Sequence, residues 1–295
     1  MKFSWIVTDE SPQHLRTFLV HKRISRALLK SIKFHGGNMH VNGVAMRANA
    51  MVKKGDSVEV TMPPEPGNPH VVPKAGPIDI VYEDSHYLVV NKPAGLPTVQ
   101  STSNRTDTLV NRVKAYYIEN NYESNVVHVV TRLDQDTTGL VIFAKHRFAH
   151  TILDQELKKH QIDKRYLTAV EGLIEKDHGL IDEPISRDPN SFIKRQVNPD
   201  GKPAQTEYWV LKRAHNRTLL EVQLHTGRTH QIRVHFESEV FPLVNDPLYG
   251  SMDEKSGDLM VGQALQCFKT TFYSVFDDRN ITVEVPYASQ ITELV

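Results

Sequence analysis

A proline-rich segment divides the chain into two parts of different composition. Six prolines lie within eighteen residues: Pro63, Pro64, Pro66, Pro69, Pro73 and Pro77. Proline fixes φ and has no backbone N–H, so this stretch cannot hold a helix or a central strand and favours extended geometry. We therefore predict a linker over 61–78, a small domain over 11–60 and a larger domain over 79–290. The length of 295 residues suits two domains.

The two parts also differ in charge, although the whole chain has a formal net charge of zero. Residues 11–60 contain nine lysines and arginines and two acidic residues, a net charge of +7. A basic module of this kind is typical of nucleic-acid binding, and a solvated charged face is the alternative explanation. The small domain is thus the first candidate for a nucleic-acid interface.

Cysteine content and hydropathy indicate the cellular compartment. Cys267 is the only cysteine, which excludes a disulfide framework and a multi-cysteine zinc site and suits a reducing cytosol. The first ten residues lack the apolar core of a signal peptide, and the longest apolar runs are too short to cross a membrane. We therefore expect a cytoplasmic protein with no membrane partner.

The sequence after the linker predicts an α+β fold with a mostly antiparallel, mixed sheet. Several segments are rich in β-branched and aromatic residues, among them DIVYEDSHYLVVNK, GLVIFAK, RYLTAVEG and LLEVQLH. Helical patterns interleave near 107–119, 147–160 and 229–238. Strand-dominated sequence with scattered helices is typical of the α+β class.

The basic module predicts two helices followed by a small strand pair. Ser25 is a candidate N-cap for the second helix, which presents Arg26, Lys30 and Lys33 along one side. Asn42–Gly43 predicts a hairpin turn. This stretch, ISRALLKSIKFHGGNMHVNGVAM with VKKGDSVEV at its end, resembles the small α/β RNA-binding domain of the ribosomal-protein-S-four type. The resemblance implies that the three basic residues contact the backbone of structured RNA.

Four segments of the larger domain carry chemically useful side chains. They are NKPAGLPT (91–98), TRLDQDTTG (131–139), KRYLTAVEG (164–172) and HTGRTHQIRVH (225–235). Each also has a plain structural explanation, because turns favour Asp and Gly and sheets often bury tyrosine. The sequence contains no phosphate-binding glycine loop and no G-x-S-x-G elbow, so we expect no nucleotide cofactor.

Two of these segments predict specific contacts. Positions i and i+2 of an extended loop face the same way, so Arg132 is within reach of Asp134 and would favour its ionised form. In HTGRTHQIRVH, Thr229 is a candidate helix N-cap, and His230 and Arg233 share one side of the helix. The histidines of this segment are spaced wrongly for zinc on either a helix or a strand, so we expect no metal site.

The four segments, taken in order and followed by PLVNDPLYG, resemble the ribosomal-large-subunit (Rlu) family of RNA pseudouridine synthases. The resemblance spans about 79–290 and implies an isomerase that converts uridine to pseudouridine in structured RNA. It implies Asp134 as the catalytic nucleophile, Tyr166 as the side chain that stacks beside the uracil, and Arg233 as the partner of the aspartate. No metal or cofactor is implied.

The resemblance also implies RNA contacts in the larger domain. Arg132 matches the arginine that contacts RNA where the target base leaves the helix, and Arg228 in the later basic turn is expected to bind RNA as well. The family usually has His before this arginine and Ser at the later position, where this chain has Thr131 and Thr138. Both departures concern the support of the loop rather than its carboxylate.

Three other functions are open at this point. A non-catalytic RNA-binding factor would leave the set of Asp134, Tyr166 and Arg233 without a purpose. A metal-dependent nuclease or glycosyltransferase would use the Asp134-x-Asp136 pair. A two-carboxylate glycosidase would leave the basic module unexplained.

For the isomerase, nucleophilic attack on the ribose and a glycal route are both open. We expect a monomer acting on structured RNA, with ribosomal RNA favoured over transfer RNA.

Overall fold

The N-terminal part has two short helices packed on a small antiparallel sheet. The computed structural model describes residues 1–101, 104–250 and 260–295. The elements of this part are β1 (Lys2–Ile6), β2 (Gln13–His14), α1 (Leu15–His21), α2 (Arg26–Phe34), β3 (Asn38–Val41), β4 (Val44–Ala45), β5 (Met51–Val52) and β6 (Ser57–Thr61). The sheet has the order β1–β6–β3–β4, and β2 pairs with β5 beside it.

The helix cap and the hairpin turn that the sequence predicts for this part are both present. The Ser25 hydroxyl caps α2 by accepting a hydrogen bond from the Leu28 amide at 3.1 Å. Asn42 and Gly43 have φ values of 51° and 80°, the left-handed pair that a tight hairpin requires. The Asn42 amide also donates to Asp56 at 2.9 Å, so the hairpin and the K-G-D turn support each other.

Strand β1 extends the folded unit beyond the predicted 11–60. Lys2 lies opposite Thr61, and Ile6 lies opposite Ser57, in an antiparallel pairing with β6. The KFSWI segment is short and has no turn signal beside it. Only its tertiary pairing identifies it as part of this sheet.

The larger part is built on a ten-stranded sheet. Its strands and those of a separate two-stranded ribbon are β7 (Asp79–Glu83), β8 (Tyr87–Lys92), β9 (His128–Val129), β10 (Thr138–Ala144), β11 (Asp163–Glu171), β12 (His178–Asp182), β13 (Ile185–Arg187), β14 (Arg195–Val197), β15 (Gln205–Ala214), β16 (Arg217–Leu224), β17 (Leu265–Ser274) and β18 (Arg279–Glu284). Its helices are α3 (Leu109–Glu119), α4 (Arg147–Lys158), α5 (Gln231–Ser238) and α6 (Ser289–Thr292). None of the helices in the described ranges is long and apolar enough to span a bilayer.

The topology confirms the predicted α+β class with a mostly antiparallel sheet. The main strand order is β12–β15–β16–β11–β17–β10–β8–β7, with β18 beside β17, β9 beside β10, and β13–β14 forming the ribbon. The β10–β17 pair is parallel, and the other neighbours are antiparallel. The three predicted helices correspond to α3, α4 and α5.

The parallel pair brings two of the sequence motifs together. Gly139 at the start of β10 lies opposite Cys267 of β17, and Tyr166 of β11 lies opposite the same cysteine. Gly139 has φ 105°, and a Cβ added there would overlap the Cys267 backbone. Glycine therefore allows the close strand approach that places the loop before β10 next to Tyr166.

The two parts share a hydrophobic core. Phe148 and Ile152 of α4 are buried in the cluster that the N-terminal helices and strands form. The Phe3 ring of β1 lies edge-on to Phe148, with 5.0 Å between the ring centroids. The N-terminal part is therefore packed on the larger one rather than only tethered to it.

Residues 62–78 of the proline-rich segment form no helix or strand, as their composition predicts, whereas Thr61 belongs to β6. The segment is fastened to α3. The Asn111 side chain donates to the Val72 carbonyl at 2.6 Å, and the Lys114 ammonium donates to the Val71 carbonyl at 2.7 Å. Residues 62–78 therefore act as a docked strap along the larger part.

Two truncations test this docking. We expect a chain lacking residues 1–75 to unfold at lower urea concentration than one lacking residues 1–61. Both expose Phe148 and Ile152, but only the longer deletion removes the carbonyls that Asn111 and Lys114 use. Two lost hydrogen bonds correspond to about 1–3 kcal/mol. Equal unfolding midpoints, measured by circular dichroism, would show that the strap contributes no stability.

Candidate active site

Four of the residues that the sequence singled out line a cleft of about 700 Å³. Arg132 and Asp134 come from the loop between β9 and β10, Tyr166 from β11, and Arg228 from the turn after β16. The register of β10, β17 and β11 explains why these side chains lie together, because it places the β9–β10 loop beside Tyr166. Arg233 lies deeper, where a smaller pocket joins it to Asp134 and Tyr166.

Arg233 connects Asp134 to a second carboxylate. Its Nη1 donates to Asp134 Oδ2 at 3.1 Å, as predicted. Its Nε and Nη2 donate to the two oxygens of Asp246, each at 2.7 Å. The side chains of Arg233 and Asp246 are 4% and 0% exposed, whereas that of Asp134 is 31% exposed. Asp134 is therefore the member of this trio that a ligand in the cleft can reach.

The electrostatics favour a permanent positive charge on Arg233. Burial opposes that charge, but the hydrogen bonds and charges of Asp246 and Asp134 raise the pKa of Arg233 overall. The Leu248 and Tyr249 amides also donate to Asp246 at 2.9 and 3.1 Å, so this buried carboxylate is well satisfied. Asp246 thus balances the guanidinium and leaves its Nη1 group to orient Asp134.

The predicted contact between Arg132 and Asp134 is wrong. Within the described ranges Arg132 forms no ion pair with Asp134, and its side chain is exposed at the rim of the cleft. The chain turns immediately after Asp134, whose carbonyl accepts from the Thr137 amide at 3.2 Å. Arg233, distant in sequence, takes the contact instead.

Tyr166 forms one wall of the site. Its side chain is 5% exposed and lines both pockets beside Asp134. Burial, with smaller effects from Cys267 and Asp134, raises the pKa of Tyr166 well above its usual value. The phenol is therefore neutral and lies beside Asp134 at the wall of the cleft.

Lys92 was not assigned from the sequence, yet it connects two motifs. Its ammonium, 1% exposed, donates to the carbonyls of Pro93, Leu96 and Gln135 at 2.9, 2.8 and 2.7 Å. The NKPAGLPT segment thus supports the loop that carries Asp134. Burial lowers the pKa of Lys92 to about 7, against the opposing charges of the nearby aspartates.

The two departures from the family pattern both support the loop. Thr131 Oγ1 accepts from the Ile142 amide at 2.9 Å, which fastens the loop to β10. Thr138 Oγ1 donates to the Leu265 carbonyl at 3.4 Å, which reinforces the parallel strand pair. Threonine at position 131 therefore fills a local structural role.

The remaining predicted residues lie outside the cleft. Arg26, Lys30 and Lys33 are exposed on α2 in the N-terminal part, and none of them lines the cleft that holds Asp134. Within the described ranges, no group of three or more His, Cys, Asp or Glu side chains is arranged to hold a metal ion.

Asp246, His230 and Tyr249 complete the surroundings of Asp134 and were given no role from the sequence. His230 Nε2 lies 3.8 Å from Asp134 Oδ2, and its Nδ1 lies 2.9 Å from the Tyr249 hydroxyl. Asp246 and Tyr249 both belong to the PLVNDPLYG stretch, which was noted for its family resemblance alone. One sequence signal could have identified Asp246. It is the carboxylate of PLVNDPLYG, the motif that follows the segment carrying Arg233.

Comparisons with known proteins identify the family of this chain. The family model described as RNA pseudouridylate synthase matches residues 86–238, which include the β9–β10 loop, β11 and α5. The chain belongs to the RNA pseudouridylate synthase family. It is therefore an isomerase that forms pseudouridine in RNA.

Several members of the family cover most of the chain. The uncharacterized RNA pseudouridine synthase YjbO of Bacillus subtilis is 36% identical over 272 residues, 92% of this chain and 94% of that protein. Ribosomal large subunit pseudouridine synthase D of Pasteurella multocida is 36% identical over 236 residues, 78% of this chain and 71% of that protein. Human RNA Pseudouridylate Synthase Domain Containing 1 shares the fold, with a TM-score of 0.59, 23% identity, and coverage of 75% of this chain and 86% of that one.

The role of Lys92 in this synthase can be tested by substitution. We expect Lys92→Met to lower the free energy of unfolding by about 2–4 kcal/mol, because three carbonyls lose a donor in a dry site. Activity should fall with it, since the loop of Asp134 loses its support. Urea unfolding and a pseudouridine assay on the same preparation measure the two effects.

The pH dependence of the unfolding free energy tests whether Lys92 is buried with a lowered pKa. The folded-state pKa of Lys92 is about 7 and lies below that of the unfolded chain, so the unfolded chain binds more protons between these values. Raising the pH from 7 to 10 should therefore stabilise the wild type relative to Lys92→Met. A difference in stability that stays constant over this range would contradict the burial argument.

Proposed function

We propose that this pseudouridine synthase modifies uridines of large-subunit ribosomal RNA, with Asp134 as its catalytic carboxylate. The observation that carries the assignment of Asp134 is its position, held by Arg233 at the base of the cleft with one oxygen unengaged by that arginine. The ribosomal substrate is supported by the similarity to ribosomal large subunit pseudouridine synthase D.

The reaction needs an ionised carboxylate at this place. The bond between N1 of the base and C1′ of the ribose breaks, and a bond between C5 and C1′ forms. The hydrogen of C5 leaves as a proton and N1 takes up a proton, so the composition of the nucleotide does not change. Asp134 starts this sequence either by attacking the ribose or by assisting the loss of uracil through a glycal. In both routes the hydrogen bond from Arg233 fixes the direction of the Asp134 carboxylate.

Tyr166 supports the base in this proposal. A phenol whose pKa is raised by burial stays protonated and is a poor proton acceptor, so its lone pair is not expected to take a sugar proton. Its ring can instead pack against the face of uracil while the base is detached from the ribose. We therefore assign Tyr166 to holding the base rather than to proton transfer.

RNA contacts must offset the cost of extracting the target base. Flipping a base out of a helix costs a few kcal/mol. Arg132 and Arg228 lie at the cleft and can contact the RNA around the flipped nucleotide. Arg26, Lys30 and Lys33 on α2 supply further phosphate contacts at a distance from the chemistry. Monomeric state and cytoplasmic location stay predictions.

Paired variants of the two loop aspartates test the catalytic assignment. In a strain lacking this gene, we expect wild-type protein and Asp136→Asn to restore a pseudouridine in large-subunit ribosomal RNA, and Asp134→Asn to restore none. Asn is nearly isosteric with Asp but cannot act as a nucleophile or a base. Pseudouridine mapping across all cellular RNAs measures the outcome and identifies the substrate.

Each part of the proposal has its own contradicting result. Restoration by Asp134→Asn would remove the catalytic assignment. Equal loss in both variants would favour a site that uses the two aspartates together, such as a D-x-D metal site. Modification of transfer RNA alone would refute the ribosomal substrate while leaving the role of Asp134 intact.

The basic helix can be tested without disturbing the fold. We expect Arg26→Gln/Lys30→Gln/Lys33→Gln to raise the RNA concentration needed for half-maximal rate and to leave the rate at saturation unchanged. The slope of log affinity against log salt should become shallower by about 2–3, one unit for each lost phosphate contact. Single-turnover pseudouridine formation at several salt concentrations measures both quantities. An unchanged salt slope would show that this face of α2 does not bind RNA.

A further inference from the structure

His230 faces Asp134, but the roles assigned above to Asp134, Arg233 and Tyr166 do not use it. Its side chain is 11% exposed and lines the same cleft. The distance of 3.8 Å from its Nε2 to Asp134 Oδ2 is too long for a direct hydrogen bond. The imidazole therefore lies beside the carboxylate without a direct hydrogen bond to it.

The backbone conformation of His230 is unusual for a residue with a side chain. Its φ of 59° and ψ of 20° lie in the left-handed region, and it occupies the N-cap position of α5 without capping the helix through its side chain. Thr229, the predicted cap, is not the cap residue. A left-handed conformation outside glycine is strained, and such strain is concentrated at functional sites.

A chain of hydrogen bonds assigns the tautomer of His230. The Arg195 amide donates to the Tyr249 hydroxyl oxygen at 2.7 Å, so the hydroxyl hydrogen is available for the other neighbour. That neighbour is His230 Nδ1, at 2.9 Å. Burial raises the pKa of Tyr249, which keeps this hydrogen on the phenol. His230 Nδ1 is then an acceptor, and a neutral imidazole must carry its hydrogen on Nε2.

The surroundings also favour the neutral form of the ring. Burial is the main effect that lowers the pKa of His230, and the positive charges of Arg233 and Arg195 act in the same direction. Asp134 and Asp246 oppose this shift. The ring thus presents a fixed N–H, and not a lone pair, to the Asp134 carboxylate.

We propose that His230 is a positioning residue for the isomerisation: its Nε2–H closes on Asp134 Oδ2 when RNA is bound. Oδ2 is then held by Arg233 and His230 from two sides, and Oδ1 is directed at the ribose. Hydrogen bonds of active sites are often long in the free enzyme and shorten in the substrate complex. No bond to His230 forms or breaks, and no proton leaves it. This inference rests on the proposed role of Asp134.

Two substitutions of matched size separate the N–H from the bulk of the side chain. Gln can place an amide N–H near the position of Nε2, whereas Leu cannot donate, and both have the same left-handed backbone cost. We expect His230→Leu to lower the single-turnover rate at saturating RNA by about 10- to 100-fold, and His230→Gln by less than about 5-fold. The RNA concentration at half-maximal rate should change by less than about 3-fold in both. Equal rates for Leu and Gln, or a loss confined to RNA binding, would overturn the proposal.

The control for these variants is His178→Gln. His178 is an exposed histidine of β12 that contacts Glu207 and does not line the cleft. Its substitution should leave the rate unchanged. Asp134→Asn tests the proposed function separately: an active Asp134→Asn would refute the catalytic role of Asp134 whatever the His230 variants show.

A spectroscopic measurement tests the tautomer in the wild-type protein itself, and variants serve only for assignment and comparison. Protein labelled with ¹⁵N-histidine, assigned with His230→Gln, reports which ring nitrogen of His230 carries the hydrogen. We expect the Nε2–H tautomer, and a Tyr249→Phe variant should lose this preference. The Nδ1–H tautomer in the wild type would refute the inference.

Discussion

Arg233 is almost fully buried, and its guanidinium contacts one buried carboxylate and one at the cleft. A buried charge is costly unless it is paired and hydrogen-bonded, and removing one partner leaves the others uncompensated. Asp246 therefore holds Arg233 in place, and Arg233 holds Asp134. Helix α5, the stretch that follows it and the β9–β10 loop are thereby constrained to a single arrangement, on which the geometry of the site depends.

The sheet places this trio beside Tyr166. The parallel pairing of β10 with β17 is an exception among antiparallel neighbours, and it brings the loop of Asp134 alongside β11. Gly139 makes the approach possible because a side chain there would overlap the Cys267 backbone. Lys92 then fixes the other end of the loop through the Gln135 carbonyl. These contacts hold the loop that carries the Asp134 carboxylate at both the strand and the Gln135 carbonyl.

The docked N-terminal part gives the proposed RNA contacts a fixed geometry. Phe148 belongs to α4 of the larger part, yet it is buried in the core of the smaller one. The proline-rich strap is tied to α3 through Asn111 and Lys114. Helix α2 and the cleft are therefore held in one relation, so RNA that contacts both must fit the spacing between them.

The sequence by itself determined the features that depend on neighbours along the chain. These include the Ser25 cap, the Asn42–Gly43 hairpin, the three helices of the larger part, the irregular course of the proline-rich segment and the motifs that indicate the family. Each follows from local backbone preferences or from spacing within a few residues.

The tertiary structure alone decided the full set of side chains around Asp134. The family resemblance implied Arg233 as its partner, but only the structure shows that Arg132 does not make this contact and that Asp246, His230 and Tyr249 surround the pair. The contacts to Asp134 join segments about a hundred residues apart, as the Arg233–Asp134 bond shows. Their formation depends on strand register and on the turn after Asp134, which no local pattern encodes.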